Sequence, residues 1–574
     1  MTIKRRIVIA LKCMMLVFTG FSQSAQLAEN YFRSPVDYDF KLSGNFCELR
    51  ETHFHSGLDI KPSSKGNDKI YSIADGYVSR LRVASGGYGN VLYIDHPDVG
   101  YTSVYAHLEG FNDNISSLAR QHQMALESFE VDFLLDPHIL PVKKGDIIGI
   151  MGNSGYSFGT HLHFEIRDTK TEKPINPLLF GMKNPDNLPP SLVSMAIHGL
   201  DPDFHKVCDI RIPLDAIQGG TVNIPSPIEV PAWRVGIALQ TYDRTDGSHN
   251  KLGIYSIHVY VDDSLSYSYH LDKVSFDQTK NIIGFYDYSV RKKESKTFAL
   301  CYKYPGNKLE FLHNNGAGLI NVYASKDRKV RIDVEDFSKN RSSVQFLLRR
   351  SENMQDPTAW PYKVKIQAGE PYELKEKNFT MLFSENSLFR NIKLSYQTIE
   401  EEGKETKYQI HDTDEPIRTP IFIAIKPEYP LDDKMSKAII IRTGTKGGRT
   451  SYGGTWKDGS ITARVSDFGT YHIDYDTVAP TIKIVDFNTL AGKKRAFRFM
   501  IKDNYSTKGE DAEDIEYKVW IDGVFTISPL SAKSSIVEIP LKDLSDGSHI
   551  LKIEAKDHSG NISFFNSTFV KKGV

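Results

Sequence analysis

Histidines are concentrated in one part of this 574-residue chain, and their side chains are the first candidates for chemistry. Eight of the 18 histidines lie between residues 53 and 163, about a fifth of the length. Such clustering indicates metal binding or acid–base catalysis in this stretch. The eight are His53, His55, His96, His107, His122, His138, His161 and His163.

His55 and Asp59 place an imidazole and a carboxylate four residues apart. On an extended strand, at about 3.3 Å per residue, they would be roughly 13 Å apart. Zinc–ligand bonds are only about 2.0–2.2 Å long, so both residues can bind one ion only if the chain curls between them. Gly57 would permit that curl. Taken alone, the pattern is a weak signal, because a surface ion pair explains it at least as often.

His161 and His163 give a stronger signal because they alternate with apolar residues. An extended strand would put both imidazoles on one face, with Leu162 and Phe164 packed into the core on the other. One imidazole could then bind a metal while the other transfers protons. The glycine-rich turn over residues 152–160 can bring a substrate backbone close. The alternative is a solvent-facing pair on an edge strand.

His107, at the end of another predicted strand, adds a third candidate imidazole. His55, Asp59 and one of His161 and His163 make a set of two histidines and one aspartate, with the fourth position open to water. That is the arrangement of a catalytic zinc site, whereas a closed structural site would normally recruit cysteine. No two cysteines of the chain have C-x-x-C spacing, which supports this choice.

Composition excludes several other classes of protein. Lysine and arginine total 71 against 72 for aspartate and glutamate, so the net charge is −1 and nothing favours nucleic-acid binding. Hydrophobic residues at 40% and charged residues at 25% are typical of globular domains. With 29 Tyr and 31 Phe against only 4 Cys, the chain favours β structure and is not a disulfide-rich scaffold.

The first 25 residues are predicted to be a secretory signal peptide. A charged start, Lys4 to Arg6, precedes the mostly apolar stretch 7–21 and the small residues of 22–25. The apolar stretch is interrupted by Lys12 and is shorter than the ~20 residues a transmembrane helix needs. We therefore expect an exported protein, periplasmic, in the cell envelope or extracellular, without a transmembrane span.

The rest of the chain is predicted to be mainly β, with one helix over residues 115–133. After the proline-rich break at 183–190, apolar and polar residues alternate at period two. An internal echo links two blocks: residues 257–262 resemble 517–522 in pattern, and 330–336 resemble 551–557. All four segments end in an aspartate, and the segments 330–336 and 551–557 are each followed by a Ser and an Asn. This duplication is typical of immunoglobulin-like β-sandwiches.

Six ordered motifs resemble those of the lysostaphin/LytM-type zinc metallopeptidases, peptidoglycan endopeptidases with a duplicated-hybrid-motif β fold. The resemblance covers about residues 40–180. The motifs are His55-Ser-Gly-Leu-Asp59, Gly87-Tyr-Gly-Asn90, Tyr105-Ala-His-Leu108, Lys144-Gly-Asp146 with Gly149, Gly152-Asn-Ser-Gly155 and Gly159-Thr-His-Leu-His-Phe-Glu165. Carried over by position, the resemblance implies His55, Asp59 and His163 as ligands of one Zn²⁺ per chain. It implies His107 and His161 as the catalytic histidines that polarise water and stabilise the oxyanion.

Two departures from the family pattern concern neighbouring segments. A longer stretch than in most relatives follows His107, and we expect residues 112–140 to be a partly helical insertion that flanks the substrate groove and restricts which cross-links enter. Cys47 stands where many relatives have a glycine; it is either a buried thiol or a group near the metal. His53 is interpreted as a neighbour of the ligands or a substrate contact, not as a ligand.

The predicted layout is a signal peptide at 1–25, a zinc metallopeptidase domain at 40–182, an immunoglobulin-like β-sandwich with insertions at 190–350, a β-rich domain of unknown role at 357–475, and a second immunoglobulin-like sandwich at 477–574. Whether Cys208 and Cys301, both in the first sandwich, form a disulfide is left open by the sequence; bridging needs Cα atoms within about 7 Å. The predicted function is secreted zinc-dependent hydrolysis of peptidoglycan stem-peptide cross-links. The alternative is a non-catalytic regulator, or a wall-binding or adhesin-like surface protein, with the sandwiches contacting the wall or a protein partner.

Overall fold

The computed structural model describes residues 31–182, 184–352, 362–429, 432–444, 447–492, 494–505, 508 and 515–572. The signal peptide predicted for residues 1–25 lies outside the described residues. Strands dominate throughout, which confirms the mainly β fold predicted from the sequence. The helices in the described part of the chain are all too short or too polar to cross a lipid bilayer.

The first part of the chain is built on a nine-stranded, largely antiparallel sheet with a three-stranded sheet beside it. The large sheet has the order β1-β2-β11-β6-β5-β4-β8, with β12 on β11 and β9 on β4, and the small sheet has the order β3-β10-β7. The strands are β1 Leu42–Gly44, β2 Leu58–Ile60, β3 Lys69–Tyr71, β4 Gly76–Val83, β5 Asn90–His96, β6 Tyr101–Leu108, β7 Gly110–Phe111, β8 Val131–Leu134, β9 Pro141–Val142, β10 Ile147–Ile150, β11 Leu162–Asp168 and β12 Pro174–Ile175.

The segment after β7 contains one helix, α1 (Asp113–Leu126), which is shorter than predicted. Asn112 caps its first turn by accepting a hydrogen bond from the Ile115 amide, and Glu127 ends it in a left-handed conformation. The predicted helix to residue 133 is wrong because β8 pairs with β4 instead. His122 on the helix stacks on Phe133 of β8, with ring centroids 3.7 Å apart. The two residues therefore pack against each other, but they belong to two different elements and not to one helix.

Two further two-sheet units flank a central β-rich stretch. The first two-sheet unit, residues 191–350, has the strands β13 Ser191–Leu200, β14 Lys206–Gln218, β15 Gly220–Asn223, β16 Ile228–Val230, β17 Arg234–Tyr242, β18 Ser256–Val261, β19 Ser264–His270, β20 Ala299–Leu300, β21 Leu312–Asn314, β22 Ile320–Asn321, β23 Arg328–Glu335 and β24 Arg341–Arg350, and helix α2 Tyr288–Glu294. Its sheets have the orders β14-β13-β17-β20 and β15-β24-β23-β18-β19-β21, with β22 on β17 and β16 on β24. That it is immunoglobulin-like stays a prediction.

The central stretch has the strands β25 Val364–Ile366, β26 Tyr372–Lys375, β27 Phe379–Phe383, β28 Ile392–Leu394, β29 Tyr396–Ile399, β30 Lys407–Ile410, β31 Ile421–Ile425, β32 Ala438–Thr443, β33 Arg449–Ser451, β34 Thr455–Lys457, β35 Ser460–Val465 and β36 Gly469–Tyr475. The last two-sheet unit, residues 481–571, has the strands β37 Thr481–Asp486, β38 Leu490–Gly492, β39 Ala496–Lys502, β40 Glu516–Ile521, β41 Val524–Phe525, β42 Leu530–Ser531, β43 Ile536–Pro540, β44 Gly547–Lys556 and β45 Ile562–Lys571. Short 3₁₀ helices span Pro177–Phe180, Phe276–Gly284, Gly316–Gly318 and Asp432–Lys437.

The first part of the chain and the first two-sheet unit share one hydrophobic core. Phe54, which directly precedes His55, is 2% exposed. Its ring packs edge-on against Phe285 and Phe311 of the two-sheet unit, with centroids 5.5 and 5.6 Å away. The central stretch and the last two-sheet unit each have a separate core. The candidate site is therefore supported from behind by a second unit of the chain.

The disulfide that the sequence left open between Cys208 and Cys301 is ruled out, since both cysteines are free. Cys208 lies on β14, at one edge of its sheet, and Cys301 directly follows β20 at the other side. Three strand spacings of about 4.8 Å separate these strands, roughly 14 Å, whereas a disulfide needs Cα atoms within about 7 Å. Cys47, the remaining free thiol in the described residues, is buried, and burial raises its pKa well above the ordinary value.

Candidate metal centre

Strand register brings the predicted ligands together. β2 and β6 both pair with β11, and His163 of β11 stands opposite Asp59 of β2 and Ala106 of β6. His55 lies just before β2. A Cβ at Gly57 would meet the backbone oxygen of Phe164 at 2.2 Å, so only glycine lets this segment lie so close to β11. The close approach at Gly57 replaces the 13 Å separation of an extended strand with direct contact between His55 and Asp59.

Three side-chain atoms converge at this point. His55 Nε2 lies 2.9 Å from Asp59 Oδ1 and 2.9 Å from His163 Nδ1, and His163 Nδ1 lies 3.1 Å from Asp59 Oδ1. Tetrahedral ligands at zinc bond lengths are about 3.3 Å apart. All three residues are buried, at 4–8% exposure. This donor set, two imidazole nitrogens and a carboxylate oxygen, fits a zinc ion.

The second nitrogen of each histidine is held in the way that a metal-binding histidine requires. His55 Nδ1 donates to the backbone oxygen of Asn45 at 2.7 Å, and His163 Nε2 donates to Glu165 Oε1 at 2.8 Å. Arg50 donates to Asp59 Oδ2 at 2.6 Å. Such outer partners fix the ring orientation and leave the inner atoms free for the ion. Although burial opposes it, the imidazoles of His55, His161 and His163 hold the pKa of Asp59 well below its usual value.

Glu165 is the centre of the supporting network. Its side chain is fully buried and accepts hydrogen bonds from Ser56 Oγ at 2.6 Å and from Tyr88. Arg167 Nε donates to its second oxygen at 2.6 Å. The guanidinium of Arg167 and the imidazole of His163 hold the pKa of Glu165 far below its usual range, although burial opposes this. Glu165 and Asp59 in turn raise the pKa of His163 to about 9.

His107 and His161 face the open side of this cluster. Their ring centroids are 4.8 Å apart, and His161 Nε2 lies 3.5 Å from Asp59 Oδ1. His107 Nδ1 donates to the Ser154 oxygen and His161 Nδ1 to the Gly159 oxygen, each at 2.8 Å. A carbonyl can only accept, so in the neutral rings Nε2 carries the lone pair. Burial, with the charges of His163 and His161, lowers the pKa of His107 to about 3, so its ring is neutral.

The other residues singled out from the sequence lie outside the cluster. His53 is exposed, and its ring contacts Thr52 Oγ1 at 3.4 Å. Sequence reasoning did not identify Asn45 or Arg50 as supports, because no local pattern marks them; their signal is position in the fold. Tyr88 stands in one of the six motifs, but no role was assigned to it. Glu165 is the last residue of the sixth motif, and its alternation with His163 was the signal that could have identified it.

A cleft of about 1350 Å³ adjoins the site. One wall comes from Asn90 and the turn 152–155, and α1 contributes Ser116, Ala119 and Gln123. The opposite wall comes from residues 527–538 of the last two-sheet unit. The segment 112–140 thus borders a cleft next to the candidate site. That this cleft is the substrate groove, and that the segment restricts which cross-links enter it, stay predictions.

Residues 53–122 and 140–177 match the profile of peptidase family M23, and residues 363–476 match a Zu5-like domain. The chain is 27% identical over 138 residues to the DD-carboxypeptidase/endopeptidase Mpg of Neisseria meningitidis, covering 24% of this chain and 25% of Mpg. It is 37% identical over 126 residues to the murein hydrolase activator NlpD of Escherichia coli, covering 22% and 26%. The chain thus spans about a quarter of the length of the curated relatives it matches.

Among solved structures, the catalytic domain of lysostaphin from Staphylococcus simulans is 22% identical. The alignment covers 28% of this chain and 98% of that domain, with a TM-score of 0.18.

Proposed function

We propose that this chain is an exported zinc endopeptidase that hydrolyses peptide cross-links of peptidoglycan. The premise is that the chain carries a peptidase domain of the M23 family, the lysostaphin/LytM type that its motifs resemble. The observation that carries the proposal is the convergence of His55, Asp59 and His163 within 2.9–3.1 Å, with two further imidazoles on the open side. His55, Asp59 and His163 would hold the ion. Zinc at this position would supply a Lewis acid and lower the pKa of a bound water towards about 7.

The chain's own residues would move the protons. In their neutral forms, His107 and His161 each present an unprotonated Nε2, because Nδ1 donates to a backbone carbonyl. One of them can accept a proton from the attacking water. Once protonated, it can hydrogen-bond the developing oxyanion or return the proton to the leaving amide nitrogen. The buried Glu165 network keeps His163 from rotating while this occurs.

A second candidate is a non-catalytic regulator of another wall hydrolase, which the name of NlpD, an activator of murein hydrolases, supports. A regulator has no need of three convergent ligands and two oriented imidazoles. The complete set in this chain therefore favours the enzyme.

Peptidoglycan zymography with the purified full chain tests the proposal. We expect a cleared band that disappears with a zinc chelator and returns when Zn²⁺ is added. His163→Ala is the matched negative control. No clearing by the wild-type chain, combined with faster clearing by an added wall hydrolase, would establish the regulator instead. Mass spectrometry of the released muropeptides would identify the scissile bond.

A further inference from the structure

Two clusters of three aspartates lie where the chain enters each two-sheet unit. Asp186, Asp243 and Asp336 offer carboxylate oxygens within 4.8 Å of one another, and so do Asp476, Asp503 and Asp557. Neither cluster was assigned a role by the sequence analysis, although Asp336 and Asp557 end the two echoed segments. Both clusters lie outside the peptidase motifs, the last of which ends at Glu165.

The two clusters are built in the same way. Asn340 donates through its backbone and side-chain nitrogens to the two carboxylate oxygens of Asp336, at 2.9 and 2.7 Å. Asn561 does the same to Asp557, at 2.8 and 2.8 Å. Each asparagine side chain also donates to the backbone oxygen of the first aspartate, Asp186 or Asp476. The repeat in the sequence is thus a repeat of one local structure, with the carboxylates oriented identically.

The first cluster contains a carboxylate oxygen with no partner. Asp243 is 3% exposed, and its Oδ1 is buried without a hydrogen-bond partner among the described residues. Within the part of the chain that the structure describes, neither cluster has a lysine, arginine or histidine at ion-pair distance. Burial and the neighbouring Asp336 raise the pKa of Asp243 to about 8, and burial raises that of Asp336 to about 6. A buried oxygen of this kind is costly unless a cation binds it.

The donor chemistry selects the cation. All the converging side-chain atoms are oxygens, with neither sulfur nor imidazole among them. Carboxylate and carbonyl oxygens are the ligands of Ca²⁺ and Mg²⁺, and irregular sets that include carboxylates from several loops suit Ca²⁺. In the second cluster, the Asn504 side-chain nitrogen donates to Asp503 Oδ1 at 2.9 Å and to Asp476 Oδ1 at 3.3 Å. On binding of a cation, this amide would turn by 180° and present its oxygen as a further ligand.

We propose that the two aspartate clusters are a pair of duplicated calcium sites, one at the entrance to each two-sheet unit. The first also acts on the peptidase site through the loop that begins at Asp243. Gly253 of that loop exchanges two hydrogen bonds with Asn45 of the peptidase part, at 2.6 and 2.8 Å. Asn250 of the same loop accepts a hydrogen bond from Lys61. The backbone oxygen of the same Asn45 orients His55. Calcium at the first cluster therefore stiffens the segment that positions a zinc ligand.

Calcium titration of the zinc-saturated full chain, by calorimetry and thermal unfolding, tests the proposal. We expect two Ca²⁺ per chain and a rise in Tm with Ca²⁺. Asp243→Asn and Asp503→Asn should each bind one Ca²⁺, and the double variant none. Asp263→Asn, a change of the same chemistry on an exposed turn of the first unit, should still bind two.

The calcium-free state separates metal binding from a merely structural role. Asn at 243 replaces a buried carboxyl group that is costly to ionise and whose Oδ1 has no hydrogen-bond partner among the described residues, so without calcium the Tm of Asp243→Asn should equal or exceed that of the wild type. A lower Tm in calcium-free buffer would overturn the proposal for this cluster. So would a wild-type chain that binds no Ca²⁺ at ~1 mM, the weak end of extracellular calcium sites. These measurements do not require peptidase activity, so they stand apart from the zymography.

Discussion

Replacing Glu165 by glutamine should destabilise the peptidase domain far more than replacing its neighbour Glu172. Glu165 is fully buried and accepts from four donors, on Ser56, Tyr88, His163 and Arg167. A glutamine amide keeps one acceptor oxygen and turns the other position into a donor. The NH₂ group must then face a donor, and the side chain of Arg167, at 7% exposure, loses its buried counter-charge.

The expected loss of stability depends on whether the substitution leaves a buried charge without its partner. Breaking a buried ion pair from one side costs about 3–5 kcal/mol, because the remaining charge stays buried. Glu172 also pairs with Arg167, at 3.3 Å, but its side chain is 59% exposed. An exposed pair of this kind is worth about 0–1 kcal/mol. Glu172→Gln is therefore the matched control, with the same chemical change on the same arginine.

Hydrogen–deuterium exchange of the β6 and β11 amides over a urea series is the suitable assay, because residues 40–182 contain no tryptophan to report unfolding. Zinc affinity, measured by competition with a chelating dye, should fall about 10–100-fold in Glu165→Gln, as for other outer partners of metal-binding histidines. Equal opening free energies in the two variants, within about 1 kcal/mol, would refute the role assigned to the buried network.

Two further predictions concern the neighbouring histidines and the cleft. His163→Ala should lose zinc and activity together, whereas His161→Ala should keep zinc, by elemental analysis, and lose turnover by about 10²–10⁴-fold; equal zinc loss would make both residues ligands. Ser116→Trp on the cleft wall should lower kcat/KM for cross-linked muropeptides more than for a short linear peptide. Gln121→Trp, on the exposed opposite face of the same helix, should change neither, and equal effects of both variants would remove α1 from substrate selection.

The sequence predicted the structure correctly where the two-residue period of a strand decides on which face a side chain lies. The alternation of residues 161–164 requires both imidazoles on one face, and Leu162 and Phe164 are fully buried opposite them. The mainly β fold and the resemblance to the lysostaphin/LytM-type peptidases are confirmed. The roles of the five site residues, the domain limits and export stay predictions.

Prediction failed where distant segments decide the outcome. The end of α1 depends on β8 pairing with β4, which the helical spacing of His122 and Phe129 does not reveal. Arg50 supports Asp59 only because the chain folds back across nine residues. The aspartate clusters draw on residues up to 150 positions apart, so the repeat was visible in the sequence but the meeting of its carboxylates was not.

The core that the peptidase part shares with the first two-sheet unit has a practical consequence for recombinant work. A chain that ends at residue 182 would uncover Phe54, since Phe285 and Phe311 would be missing. The new apolar face would lie next to His55 and favour aggregation in the purified fragment. Low solubility or weak zinc binding of such a fragment would therefore reflect the lost packing, and would say nothing about the catalytic competence of the whole protein.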